Sequence, residues 1–527
     1  MKQLTLDIPL DKSPYYQRLS QALINSIKSS QVIAGERLPS ARALAEQLQV
    51  NRHTIMRSYN ELIAQGWIEN AERRYYKVSQ HLPIDSSHRI KNNEGETHPA
   101  FKWHFQKDFQ DSNFIKSGAA YEYNFAGGKP DTTLFPFDEY RSHINDALKR
   151  PCIDSLNYGE NSGHPALLQQ AQVYLRRTRS IREKSLMITN GSQEALYLIA
   201  NLLLTTGDNI AIESLGYPPA WQAFKSAGAS LITIEQDSQG LCPEHLEKMA
   251  EQHALKGIYL TPLHQYPTTV TLNASRRLAI YKIALKHQLF IIEDDYDHEY
   301  HYKCQPISPM AADDPAQLVI YLSSFSKIMF PAARMGMLAA PDELIQALVN
   351  FRTTINHKPA LFQQDALARW MKSGGFERHV RRSTKAYQQR LENAHQQLQI
   401  ARDKGVLLTY KIPDGGMALW IGLAVDTEQL AKQLATQGIY LQHQKEFMAN
   451  VCSLSDSSVY SNASSNACSD TSYPELTNNN AITPNDDCAV KYHIRLGFAG
   501  QSIEQFNIGF SKIIKLVLHL QLAYSAK

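Results

Sequence analysis

The sequence predicts two folded parts of different class: a small helix–turn–helix head closed by a β-hairpin, and a much larger α/β body. Three observations predict this. Residues 1–80 combine helical apolar spacing, two capping signals and a closing pair of strand-like runs. From Tyr121 to the C-terminus, apolar runs of strand length alternate with helical stretches. Between them, residues 81–120 are polar, with Ser86-Ser87, Asn92-Asn93 and Gly95, and read as a linker. At 527 residues the chain also exceeds one ordinary core.

Composition narrows the class further. With 43% hydrophobic and 20% charged residues, the chain reads as globular rather than disordered. The N-terminus lacks the apolar core of a signal peptide, and no apolar run is long enough to span a bilayer. A cytoplasmic protein without a membrane partner is expected. Six cysteines from Cys152 to Cys488 form no CxxC or Cys/His pattern, so neither a metal site nor a disulfide framework is expected. Residues 1–80 hold eleven Lys/Arg against seven Asp/Glu, whereas the whole chain carries only +3. A basic head on a neutral body suits a nucleic-acid reader on a sensor or enzyme.

In the head, Tyr16, Leu19, Leu23 and Ile27 recur at helical spacing and predict a first helix. Gly35 to Pro39 breaks it. Ser40 caps a second helix with Leu44 and Leu48 inside, and Val50 lies in the turn. Asn51 caps a third, with Ile55, Tyr59 and Leu62 facing inward. Its outer face presents Arg52, His53, Thr54 and Arg57, the positions from which a recognition helix reaches bases and phosphates. Trp67 to Glu69 and Tyr75 to Val78 pair as a hairpin around Arg73-Arg74. The bland alternative is a three-helix bundle with solvated arginines; the order of elements within one small domain argues against it.

In the body, predicted strands run over Ser185 to Thr189, Asn209 to Glu213, Leu231 to Ile234, Gly257 to Leu260, Leu289 to Glu293 and Leu318 to Leu322. Their alternation with helices argues for a parallel sheet. Four motifs sit at strand ends. Ser323-Ser324-Phe325-Ser326-Lys327, with Arg334 seven residues on, places an imine-forming lysine beside groups that hold a phosphate; a surface lysine near a helix cap is the alternative. Glu293-Asp294-Asp295-Tyr296-Asp297 puts carboxylates where α/β proteins bind ligands; an acidic turn or a cation site is the alternative. Asn190-Gly191-Ser192-Gln193 opens a helix whose amides suit phosphate. Tyr217, after another strand, can stack on a flat ring or simply pack. Residues 446–490 hold no Lys or Arg and are dominated by Ser and Asn, which reads as a disordered insertion.

Taken together, the motifs carry a resemblance. Gly35-Glu36-Arg37-Leu38-Pro39-Ser40-Ala41-Arg42-Ala43-Leu44-Ala45 and Asn51-Arg52-His53-Thr54-Ile55 resemble the winged helix-turn-helix signature of the GntR family. That likeness implies DNA contacts by Arg42, Arg52, Thr54 and Arg57. The family's wing tip usually carries glycines; Glu72-Arg73-Arg74-Tyr75 here implies a wing that grips phosphates. The body resembles fold-type I pyridoxal-phosphate-dependent aminotransferases from about Tyr121 to Tyr524, helped by Gly128-Lys129-Pro130-Asp131 and Tyr158-Gly159. The combination resembles the MocR subfamily, to whose usual run Thr261-Pro262-Leu263-His264-Gln265-Tyr266-Pro267-Thr268 is close, with Thr269 where glycine is usual.

The resemblance implies a cofactor, pyridoxal 5'-phosphate, and a role for each matching residue. Lys327 would carry the Schiff base, Asp294 pair the ring nitrogen, Tyr296 meet the ring oxygen and Tyr217 stack. Ser192, Gln193, Ser324 and Arg334 would hold the phosphate, Tyr158 would come from the partner of a homodimer, and Arg495 would grip an effector carboxylate. The expected domains are therefore 1–80, a winged-helix DNA-binding head; 81–120, the linker; and 121–527, the aminotransferase-like body. The expected function is a transcription regulator that binds a double-stranded DNA operator and senses an amino acid, an amine or the cofactor through aldimine chemistry at Lys327. Two rivals stand beside it: an active aminotransferase with an appended head, and a cofactor-free dimerisation scaffold.

Overall fold

The structure, a computed structural model, describes residues 6–9, 13–71, 75–80, 82, 121–149, 160–303, 306–356, 360–449 and 492–525. Arg73, Arg74, Tyr158 and residues 450–490 lie outside the described residues; residues 446–449, expected to open the disordered insertion, are instead packed against the body, with Phe447 fully buried and its carbonyl accepting from the Gly216 amide. The chain separates into two compact units, residues 1–110 and 111–527.

The first unit folds as its local signals dictate. Helix α1 (Tyr15–Lys28) buries Leu19, Leu23 and Ile27. Helix α2 (Ala41–Leu48) starts where the Ser40 hydroxyl accepts from the Ala43 amide, and α3 (Arg52–Ala64) where the Asn51 side-chain Oδ1 accepts from the His53 amide. These caps satisfy amides that a helix N-terminus otherwise leaves free. Strands β1 (Ile68–Ala71) and β2 (Tyr75–Val78) pair antiparallel in the register Ile68↔Val78. The segment before α2 adds to this wing, since the Leu38 amide donates to Tyr76 and the Val78 amide to Glu36. One core, centred on Leu19, Leu23, Leu44, Ile55, Tyr59 and Leu62, holds helices and wing together. Tyr59 anchors its end, donating 2.9 Å to the Pro39 carbonyl and packing on Tyr76.

In the second unit, β3 (Tyr123–Asn124) precedes the main sheet. Strands β4 (Ser185–Thr189), β5 (Asn209–Glu213), β6 (Ser230–Ile234), β9 (Leu255–Leu260), β10 (Phe290–Asp295), β11 (Val319–Ser324) and β12 (Gly336–Ala340) form it in the order β4-β12-β11-β10-β9-β5-β6. The ribbon of β7 (Gln236–Asp237) and β8 (Gly240–Leu241) lies between β6 and β9 in sequence. The alternation predicts a parallel sheet and marks no strand at Gly336–Ala340. Instead β12 runs antiparallel to both β11 and β4, so the sheet is mixed. Successive side chains enter opposite cores: Leu186 and Ile188 pack in one, Met187 in the other. Burial on both faces explains why these strands read as continuous apolar runs.

A second sheet, not foreseen from sequence, completes the body. Strands β13 (Leu408–Tyr410), β14 (Ala418–Leu423), β16 (Gln442–His443) and β17 (Tyr492–Gly497) run antiparallel in the order β13-β14-β17-β16, while β15 (Ile439–Tyr440) pairs with β3. The helices Gly375–Asp403 and Ile503–Ser525 share its core through Leu391, Leu398, Phe506 and Ile513. Because β9, β10 and β11 are parallel, their carboxyl ends gather Thr261, Asp294-Asp295 and Ser324 at one edge. There β17 delivers Arg495.

Candidate functional site

A cavity of about 240 Å³ opens at that edge. Ser192, Gln193, Tyr217, Asp294, Tyr296, Ser324, Lys327, Arg334 and Arg495 all line it. Every body residue to which the resemblance gives a role therefore lines one cavity, except Tyr158, which lies outside the described residues. The lining also includes Gly128, Tyr259, Thr261, Tyr266, Ser326 and Pro331. Tyr259 was not foreseen, since a tyrosine within an apolar run reads as packing.

One end of the cavity is built for an anion. Helix Ser192–Leu203 starts there, after Gly191 at φ 80°. Its first amides point outward with the positive end of the helix dipole. Arg334 lines this end against Gly191, donating 2.9 Å to the Asn190 carbonyl. The Ser324 hydroxyl oxygen accepts from the Ser326 amide, and Gln193 donates to the Pro219 carbonyl. Behind this end, fully buried Arg352 ties the parts together. It bonds Glu194 at 2.9 Å, the Ile188 carbonyl at 2.6 Å and the Asn161 carbonyl at 2.9 Å, while Glu194 also accepts from the Asn190 amide. No sequence motif marked Arg352; its partners are distant in the chain.

The middle of the cavity carries Asp294, buried at the end of β10. Its Oδ2 accepts from the Tyr259 hydroxyl at 2.8 Å, and its Oδ1, also buried, has no hydrogen-bond partner. Burial pushes the Asp294 carboxyl up to about 6, although the Tyr259 hydrogen bond works in the other direction. Lys327 donates to the Gly128 carbonyl at 2.7 Å. Its surroundings push the ammonium down to about 8, first by desolvation and then by the Arg495 charge. Tyr296 donates to the His264 carbonyl at 2.9 Å, and Tyr217 meets the edge of Tyr266.

Arg495 forms the far end. It is 1% exposed, lies over the Tyr266 ring at 4.1 Å, and donates 3.1 Å to the Pro267 carbonyl. Its Nε has no partner. Gly127 is required here, since any Cβ would overlap the Arg495 side chain. Thr269, where the resemblance led one to expect glycine, keeps a left-handed backbone at φ 63°. A β-branched residue in that region is strained.

On the head, Arg42, Arg52, His53 and Arg57 are exposed and Thr54 is half-buried. Arg57 is anchored: its guanidinium sits 3.9 Å over the Tyr16 ring and donates to the Tyr16 hydroxyl at 3.3 Å. Among the described residues, no group of His, Cys, Asp and Glu is arranged to hold a metal, and no helix is long and apolar enough to cross a membrane.

Head and body together define a class: a helix-turn-helix regulator whose larger part has the aminotransferase fold. The comparisons agree with both halves. Residues 15–78 match the bacterial regulatory proteins of the gntR family, and residues 123–457 match aminotransferase class I and II. The HTH-type transcriptional regulator TauR of Rhodobacter capsulatus is 30% identical over 439 residues, 82% of this chain and 89% of that protein. The probable rhizopine catabolism regulatory protein MocR of Rhizobium meliloti is 29% identical over 389 residues, 73% and 76% of the two chains. Among solved structures, the Pyrococcus horikoshii kynurenine aminotransferase in complex with PMP superposes with a TM-score of 0.64 at 24% identity, covering 76% of this chain and 93% of that one. The chain belongs to the MocR subfamily of GntR-type transcription regulators, with an aminotransferase class I and II body.

Proposed function

We propose that this chain is a homodimeric, cytoplasmic transcription regulator that binds operator DNA through its head, holds pyridoxal 5'-phosphate in its body, and answers to an amino acid or amine. The observation that carries the cofactor reading is Asp294 Oδ1: a buried carboxylate oxygen with no partner, inside a cavity that also holds Lys327 and an anion-binding helix end. A buried acceptor left unpaired is costly unless a ligand completes it. The residues present fit the cofactor. Ser192 and the first amides of its helix, with Gln193, Ser324 and Arg334, would hold the phosphate. Asp294 would face the ring nitrogen, Tyr296 the ring oxygen and Tyr217 the ring plane, with Tyr158 supplied by the partner subunit.

When bound, pyridoxal phosphate supplies an aldehyde carbon that condenses reversibly with primary amines. Lys327, with its ammonium destabilised, offers a neutral amine near physiological pH, and the Gly128 carbonyl fixes where that nitrogen sits. Arg495, pinned by Tyr266 and Pro267, orients a carboxylate from the effector. An effector changes DNA binding to the extent that it prefers one of two states of the body. On the head, Arg42, Arg52, His53, Thr54 and Arg57, with Arg73 and Arg74 between the two wing strands in sequence, would supply the DNA contacts.

The test combines two measurements on the full chain. Visible absorption, with pyridoxal phosphate added, should show a band that is lost in Lys327→Ala and altered by one class of amino acid or amine. Binding to operator DNA should then change with the same ligand, and Arg52→Ala should weaken it and reduce its salt dependence. Sustained keto-acid production from an amino acid would instead make the body an aminotransferase. Absence of the band would remove the cofactor reading.

A further inference from the structure

We propose that Tyr259 is a positioning residue for the cofactor's ring nitrogen: its phenol fixes Asp294 through Oδ2 and so keeps Oδ1 turned into the cavity. The inference rests on the cofactor reading above and extends it to a residue no motif marks.

The placement follows from the sheet. Tyr259 on β9 pairs in register with Ile292 on β10, and Asp294 lies two residues beyond Ile292 on the same face. The phenol therefore leans along the neighbouring strand toward the carboxylate and donates at 2.8 Å. Tyr259 is 1% exposed, with its ring packed on Phe224, so the hydroxyl has little freedom to turn elsewhere. The two oxygens of Asp294 thus divide their work: one is tied to the protein and the other is left for a ligand.

Charge makes this arrangement matter. Asp294 faces Tyr259 from β9, Tyr217 from the start of helix Pro218–Ser226, Lys327 from beyond β11, and Asp295 and Asp297 on its own segment. Glu213 stands behind Tyr259. The two neighbouring carboxylates and burial all favour a protonated Asp294; the Tyr259 donor and Lys327 oppose them. A protonated Asp294 cannot form an ionic pair with a ring N–H. Removing the phenol hydroxyl shifts the balance toward the protonated form, so the pair fails at a higher pH.

The experiment uses the full chain with pyridoxal phosphate added, in four forms: wild type, Tyr259→Phe, Asp294→Asn and the double variant. For each, the visible band is recorded against pH and the cofactor Kd is titrated. In Tyr259→Phe the acid-side midpoint of the band should rise by about one to two pH units, the worth of a hydrogen bond to a charged group, with weaker cofactor binding. In the Asp294→Asn background the same change should add nothing. Should Tyr259→Phe fold poorly, 3-fluorotyrosine encoded at position 259 keeps the ring and strengthens the donor, and the midpoint should fall. A Tyr259→Phe midpoint and Kd equal to wild type overturn the proposal, as does an equal effect of Tyr259→Phe with and without Asp294. A wild-type chain with no visible band overturns the cofactor reading itself, an outcome distinct from the first two because both require the wild-type band.

Discussion

Lys327 offers the sharpest test of the electrostatics, and it needs no ligand. Desolvation in the cavity disfavours its ammonium, and Arg495 lies with it beside Gly128 and repels it; Asp297 and Asp294 oppose these effects without cancelling them. The result is a group pushed down to about 8 from an ordinary lysine value near 10.5. The neutral amine is what reacts, so the shift has a large consequence: at pH 7 about 10% of Lys327 is neutral, against about 0.03% of an ordinary lysine. That is an advantage of about 300-fold in reactive amine. The sign is fixed, because a lowered lysine pKa means the neutral form appears earlier as pH rises. Competitive labelling of the apoprotein with trace acetic anhydride, across a pH series and read by mass spectrometry of the Lys327 peptide, gives the midpoint directly. It should fall near 8 in the wild type and move upward in Arg495→Gln, where the repelling charge is gone. A midpoint at 10 or above in folded protein would refute the reasoning, since the cavity would then not destabilise the ammonium at all.

Other predictions follow from single contacts. Arg352→Leu strands Glu194 beside a fully buried gap and should lower stability by about 3–5 kcal/mol in thermal melts, with partial recovery on adding Glu194→Gln. Thr269→Gly removes the left-handed strain of a β-branched residue; denaturant unfolding should show the variant more stable, by about 1 kcal/mol. Asn51→Ala deprives the His53 amide of its cap and should weaken the head by about 1 kcal/mol, seen as faster hydrogen exchange across the first turn of α3.

Much of the head was legible in the chain because its determinants are local. Ser40 and Asn51 stand at the helix starts they cap, and the strand pair around residues 72–74 closes in the register its spacing allows. In the body, the strand-end motifs were legible for a related reason. Parallel strands must bring their carboxyl ends to one edge, so Asp294, Ser324 and Lys327 had to be neighbours once the strands were recognised.

What the sequence determined by itself, then, was the order of elements in the head and of six strands of the main sheet, the two classes of domain and the residue types of the site. Tertiary structure alone decided the direction of β12: Gly336–Ala340 is apolar and buried on both faces, so nothing in its own pattern distinguishes parallel from antiparallel. It also decided which buried polar groups serve the cavity. Tyr259 and Arg352 look like packing and surface residues in one dimension. They take their roles from the strand register that sets a phenol beside Asp294, and from the fold that brings Asn161, Ile188 and Glu194 around one guanidinium. Such roles depend on partners far away in the chain, and the energy that fixes them, the desolvation of groups left without water, exists only once the core has closed.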